Sequence, residues 1–119
     1  MEKVSEITVD NIINYLRLTE VSQNEYKELE LYLKIAKDYI SNYTGIPQES
    51  EDEEAETLDS YSDFVIVAYV LCQDMYDNRT MYVDGKNINN TIKTILDMHT
   101  RNNLWLMQEI IIRKYLYIQ

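Results

Sequence analysis

The residues able to do chemistry are few, and their spacing argues against most reactions. One cysteine, Cys72, and one histidine, His99, are present. A thiol–imidazole pair needs both groups in contact and a third group to orient the ring, and nothing in the spacing brings these two together. Cys72 ends the apolar run from Phe64 and reads as a small core side chain. His99 falls in the last turn of a helical register, where an imidazole is a favourable partner for the helix dipole. The other dense group is Glu51-Asp52-Glu53-Glu54, inside a segment from Gln48 to Asp63 that holds eight carboxylates and no basic residue. A calcium loop would need alternating oxygen ligands around a turn glycine and a distal glutamate, and that pattern is missing. The only glycines are Gly45 and Gly85, which leaves no glycine-rich phosphate cradle, nucleophile elbow or dinucleotide fingerprint. The expectation is a non-enzymatic protein with no catalytic, cofactor-binding or metal site.

Charge narrows the partners. With 21 acidic residues against 11 basic, the net charge of −10 repels phosphate backbones and anionic membranes. The one local basic excess, Arg101, Arg113 and Lys114 against Glu109, fits the acidic surface of another subunit better than a nucleic acid. A lone cysteine fits a reducing compartment. Neither the polar start, Met1 to Glu6, nor the run Phe64 to Cys72 resembles a signal or membrane-spanning segment, so a soluble chain without a cleaved signal is expected.

These groups must be positioned by helices. A chain of 119 residues has room for one core, and two glycines with one proline are too few turn residues for a sandwich of short strands. Thr8 is placed to cap a first helix in which Val9, Ile12, Ile13 and Leu16 share a face. Ser22 and Glu25 have capping-box spacing, and Leu29, Leu33, Ala36, Ile40 and Tyr43 predict a second helix from about Asn24 to Thr44, ended by Gly45 and Pro47. The first half of the acidic stretch should be an exposed, mobile loop. Ser60 with Asp63 can cap a third helix, apolar nearly all round and therefore the most buried. Met81-Tyr82-Val83 before Asp84-Gly85 permits a brief hairpin. A fourth helix, capped by Asn87 or Asn90, carries Ile88, Ile92, Ile95, Leu96 and His99 on one face. The fold class is thus all-α, a small bundle of about four helices with an acidic loop between the second and third. Residues 1–103 form the helical domain, and residues 104–119 form a C-terminal arm whose hydrophobicity follows neither a helical nor a strand period.

Four features in order carry a resemblance: Ile7-Thr8-Val9-Asp10-Asn11-Ile12-Ile13-Asn14-Tyr15-Leu16-Arg17-Leu18, then Ala36-Lys37-Asp38-Tyr39-Ile40-Ser41-Asn42-Tyr43-Thr44-Gly45, an acidic linker, and an apolar helix ending Met75-Tyr76-Asp77-Asn78-Arg79. Over residues 7–99 the chain resembles the head-to-tail connector (adaptor) proteins of tailed bacteriophages. The resemblance implies a homo-oligomeric ring, of twelve copies, in the virion neck beneath the portal protein, docking a stopper or tail-completion protein and letting DNA pass without specific binding. It also implies assembly in the host cytoplasm and no membrane partner. A carboxylate-rich wall suits such a conduit because it repels the passing phosphates. Glu51, Asp52, Glu53 and Glu54 in the loop, and Trp105, Ile111, Arg113, Tyr115 and Tyr117 in the arm, are the candidate partner contacts. The arm departs from the family pattern, whose members often end soon after the fourth helix.

Two other classes compete. A small acidic regulatory or inhibitory protein would use the Glu51–Glu54 cluster to occupy a basic partner surface. An enzyme of another type would need a pocket holding perturbed carboxylates or His99.

Overall fold

The computed structural model describes residues 3–101. They form four α-helices and two short 3-10 turns, with no strand among the described residues. Helix α1 spans Val9–Leu16, α2 Gln23–Thr44, α3 Asp63–Asn78 and α4 Asn90–His99. The all-α bundle expected from the apolar spacing is what forms.

Local chemistry sets most of the boundaries. The Thr8 hydroxyl accepts the Asn11 amide while the Asn11 side chain accepts the Thr8 amide, so two otherwise orphaned donors are satisfied at the start of α1. Ser22 accepts the Glu25 amide at 3.1 Å, but the Glu25 carboxylate turns away and receives the Tyr76 hydroxyl instead. Helix α2 ends where Gly45 takes the left-handed conformation, φ 77°. Helices α1 and α3 end without glycine: Arg17 and Arg79 occupy the same left-handed region, at φ 59° and 52°. Each is followed by a six-to-one hydrogen bond, Leu18 N to Ile13 O and Thr80 N to Met75 O, which closes a Schellman turn.

The core is built mainly where α2 lies against α3. Leu29, Tyr32, Leu33, Ala36 and Ile40 of α2 meet Phe64, Val67, Ala68, Leu71, Cys72 and Met75 of α3, with Ile12 of α1 and Ile92 and Leu96 of α4 closing the sides. Burial of each large aliphatic or aromatic side chain contributes about 1.5–3 kcal/mol, so this one cluster holds most of the domain's apolar stabilisation. The buried hydroxyl of Thr44 is satisfied locally, donating to Ile40 O and accepting the Ile46 amide.

Three expectations are corrected. Helix α3 starts at Asp63, because Ser60 instead closes a 3-10 turn by accepting the Thr57 amide, and the Ser62 cap has no side-chain hydrogen bond. Helix α3 is, as expected, the most buried helix, with seven buried residues, although Ile66 is 45% exposed and Tyr69 and Val70 are half-buried, leaving one strip facing outward. No hairpin forms at 81–87. The Asp84 carboxylate accepts the Lys86 amide and the Asn87 side chain, folding the segment into a turn. Met81 and Tyr82 remain 48% and 63% exposed, so a strand there would have had no apolar face to bury. The cap of α4 is Asn89, which accepts the Thr91 amide.

Candidate partner interface

The acidic segment is an anchored loop with a free tip. Pro47 O accepts the Leu58 amide at 3.1 Å, and Leu58 is buried, so the two ends of the loop are tied together and pegged into the core. The tip is shaped by its own side chains: Ser50 accepts the Asp52 amide and Asp52 the Glu54 amide. Glu51, Asp52, Glu53 and Glu54 are all exposed, and none forms an ion pair among the described residues.

The second half of the loop behaves differently, because cations and donors arrive from distant parts of the chain. Asp59 accepts both the amide and the hydroxyl of Ser5, at 2.9 and 2.6 Å. Glu56 pairs with Arg101 at 3.4 Å and accepts the Tyr61 hydroxyl. Asp63 meets His99, Nε2 to Oδ2 2.8 Å. The His99 ring lies against Tyr61 and Phe64, with ring centroids 4.1 and 4.9 Å away, and its side chain is only 16% exposed. A proton on Nε2 is donated to the carboxylate, which stands in the first turn of α3, while the imidazole stands in the last turn of α4. Each therefore also suits its helix dipole. The sequence reading of His99 as a dipole partner omitted Asp63, and nothing in the separation of 36 residues signalled it.

The backbone just beyond α4 is fastened in the same place. The Arg101 amide donates to Thr44 O at 2.9 Å, so the chain leaves the described domain beside the end of α2 and the start of α3. The remaining candidate contacts, Trp105, Ile111, Arg113, Tyr115 and Tyr117, lie outside the described residues.

A second pattern runs through the fold and was not anticipated. Four tyrosine hydroxyls donate to carboxylates: Tyr32 to Glu28, Tyr43 to Asp97, Tyr61 to Glu56 and Tyr76 to Glu25. Burial, then the Glu28 hydrogen bond, pushes the Tyr32 hydroxyl up to about 12. The Asp97 hydrogen bond, then burial, does the same to Tyr43. Tyr43 and Tyr76 link helices, Tyr61 spans the turn before α3, and Tyr32 bonds one turn back within α2, so several acidic residues are drawn out of the free surface charge.

Cys72 is fully buried, and burial pushes its thiol up to about 12, which removes the thiolate needed for nucleophilic or metal chemistry. No hydrogen bond joins it to His99 among the described residues, and no group of three His, Cys, Asp or Glu side chains there could hold a metal ion. A cleft of about 330 Å³ lies between the end of α3 and the 80–87 turn; of its two carboxylates Asp84 is committed to the turn, while burial and then the Asp77 charge raise Asp74. No described helix is long and apolar enough to cross a membrane. Comparison of the chain with family models, with characterised proteins and with solved structures returns no match.

Proposed function

We propose that this chain is a structural head-to-tail connector of a tailed phage, a ring subunit that sits under the portal, extends the DNA channel and docks a stopper or tail component. The observation that carries the reading is the ordered set of four segments. Residues 7–18 correspond to α1 and its left-handed stop, residues 36–45 to the second half of α2 and its glycine cap, the acidic linker to the anchored loop, and residues 75–79 to the end of α3. Supporting it is the character of the loop tip, where four exposed carboxylates on an anchored base would give a channel wall that repels DNA. In a closed ring each copy meets the next through two different surfaces, which the helical domain and residues 104–119 would supply.

The same exposed tip favours a second reading, an acidic regulator that covers a basic partner surface. The two separate experimentally. Assembled rings of the portal protein encoded in the same genome are mixed with the chain and sedimented. Co-sedimentation, retained when Glu51, Asp52, Glu53 and Glu54 are changed to their amides, is the connector outcome. A chain that stays in the supernatant at every concentration overturns it, and binding that vanishes with the amide changes assigns the tip as the interface of a regulator.

A further inference from the structure

The outward strip of α3 has a composition that suits one particular occupant. Asp63, Ile66, Val70, Gln73 and Asp77 recur at three- and four-residue spacing and so lie along one side of the helix. Ile66 is 45% exposed. Beside it the rings of Tyr69 and Tyr15 stack at 5.0 Å, nearly parallel, and the Tyr15 hydroxyl donates to Gln73, which widens the apolar strip with a flat aromatic flank. The far end of the strip is acidic. Asp77 ends the strip and Asp74, which lines the cleft against the 80–87 turn, stands one turn before it; both are exposed, and neither forms an ion pair among the described residues. Burial and then the Asp77 charge raise the Asp74 carboxyl, as expected where two carboxylates stand together without a cation.

Over residues 104–114 the C-terminal arm complements this strip in order and, apart from Glu109, in sign; the apolar Tyr115-Leu116-Tyr117-Ile118 comes after. Leu104-Trp105-Leu106-Met107 and Ile110-Ile111-Ile112 come first, and the arm's two cations, Arg113 and Lys114, follow. Its root is fastened at the correct end, since His99 bonds to Asp63 and Arg101 is held by Thr44 O and Glu56. From Asp63 to Asp77 is about 21 Å along the helix axis. From Arg101 to Lys114 the chain covers about 20 Å if helical and about 43 Å if extended, so the cations reach the acidic end in either form. A segment tethered beside its site meets it at an effective concentration of about a millimolar, well above that of a second copy in dilute solution.

We infer that residues 104–119 dock on the chain's own α3, their apolar residues over Ile66, Val70 and the Tyr15–Tyr69 stack and Arg113 and Lys114 against Asp74 and Asp77. The arm then shields this strip in the isolated subunit and exchanges it for other contacts only when a partner competes. The inference concerns the free chain and does not depend on the connector reading.

Trp105 is the chain's one tryptophan, so its emission reports the arm directly. In the full-length protein, Trp105 is expected to emit as a shielded indole, to resist acrylamide quenching, and to do so unchanged through a dilution series. Ile66→Glu, at an exposed position, should shift the emission to that of a water-exposed indole and raise quenching several-fold while the helical circular dichroism holds. Asp77→Lys should weaken the shielding and Lys114→Asp in the same chain should restore it, a pair that decides the matter even where Ile66→Glu disturbs folding. A water-exposed Trp105 in the unaltered protein, shielding lost on dilution, or shielding indifferent to both changes would each overturn the inference; loss on dilution would transfer the arm to a second copy.

Discussion

Replacing Tyr32 with Phe tests whether a buried tyrosine–carboxylate bond within α2 stabilises the fold. Tyr32 is fully buried and its hydroxyl donates to Glu28, one turn earlier on α2. Removing the hydroxyl at neutral pH deletes one hydrogen bond to a charged acceptor, costing about 1–2 kcal/mol. The Glu28 carboxylate keeps Arg79 at 3.7 Å, which limits the loss. The distinguishing feature is the pH dependence. The Tyr32 hydroxyl is raised from about 10 to about 12 in the folded chain, so its contribution is fully present below pH 10 and is lost as pH rises through 12. At pH 11 the unfolded tyrosine is mostly ionised and the folded one mostly neutral, which costs the unaltered protein about 1 kcal/mol that the Phe variant does not lose. Urea denaturation followed by circular dichroism at pH 8 and pH 11 measures both terms. The deficit of Tyr32→Phe should narrow by about 1 kcal/mol between them. A deficit that is the same at both values would refute the assignment of the raised hydroxyl to the folded state.

Other consequences follow from particular residues. Arg17→Gly should stabilise the chain by about 0.5 kcal/mol in urea melts, because glycine removes the left-handed cost at φ 59° but adds unfolded-state freedom. Arg79→Gly should bring no such gain, since Arg79 also pairs with Glu28 and lies over the Tyr76 ring at 4.5 Å. Cys72 should resist thiol reagents in the native protein near pH 8 and react fully in denaturant; rapid native labelling would show the site to be open.

How much of this was legible in the residues depends on the range of the interaction. The Thr8 cap, the start of α2 at Ser22 and its end at Gly45 all involve neighbours within five positions, and periodicity with capping chemistry located them. The stops at Arg17 and Arg79 are also local, but arginine is not a residue that marks a left-handed cap; the six-to-one hydrogen bonds that follow have no composition of their own. The anchoring of the acidic loop was hidden for a different reason. Ser5 reaches Asp59 across 54 positions and His99 reaches Asp63 across 36, and only the packing of α3 against α4 and of the N-terminal turn against the 58–60 turn brings them together. The exposure expected of the first half of the acidic segment is found at the tip, 51–54, while the anchoring of its second half was not anticipated. The hairpin at 81–87 failed because Asp-Gly is a turn signal that requires two apolar strands beside it, and Lys86 and Asn87 supply none. Of the candidate contacts, the loop residues are exposed as required of an interface, and the five in the arm lie outside the described residues.

The connector proposal is tested most directly by the mass of the purified chain in light scattering, alone and mixed with the portal protein encoded in the same genome. A large closed assembly of many copies, formed by the chain alone or only on the portal, is the expected result. A persistent monomer that ignores the portal at every ratio would contradict it.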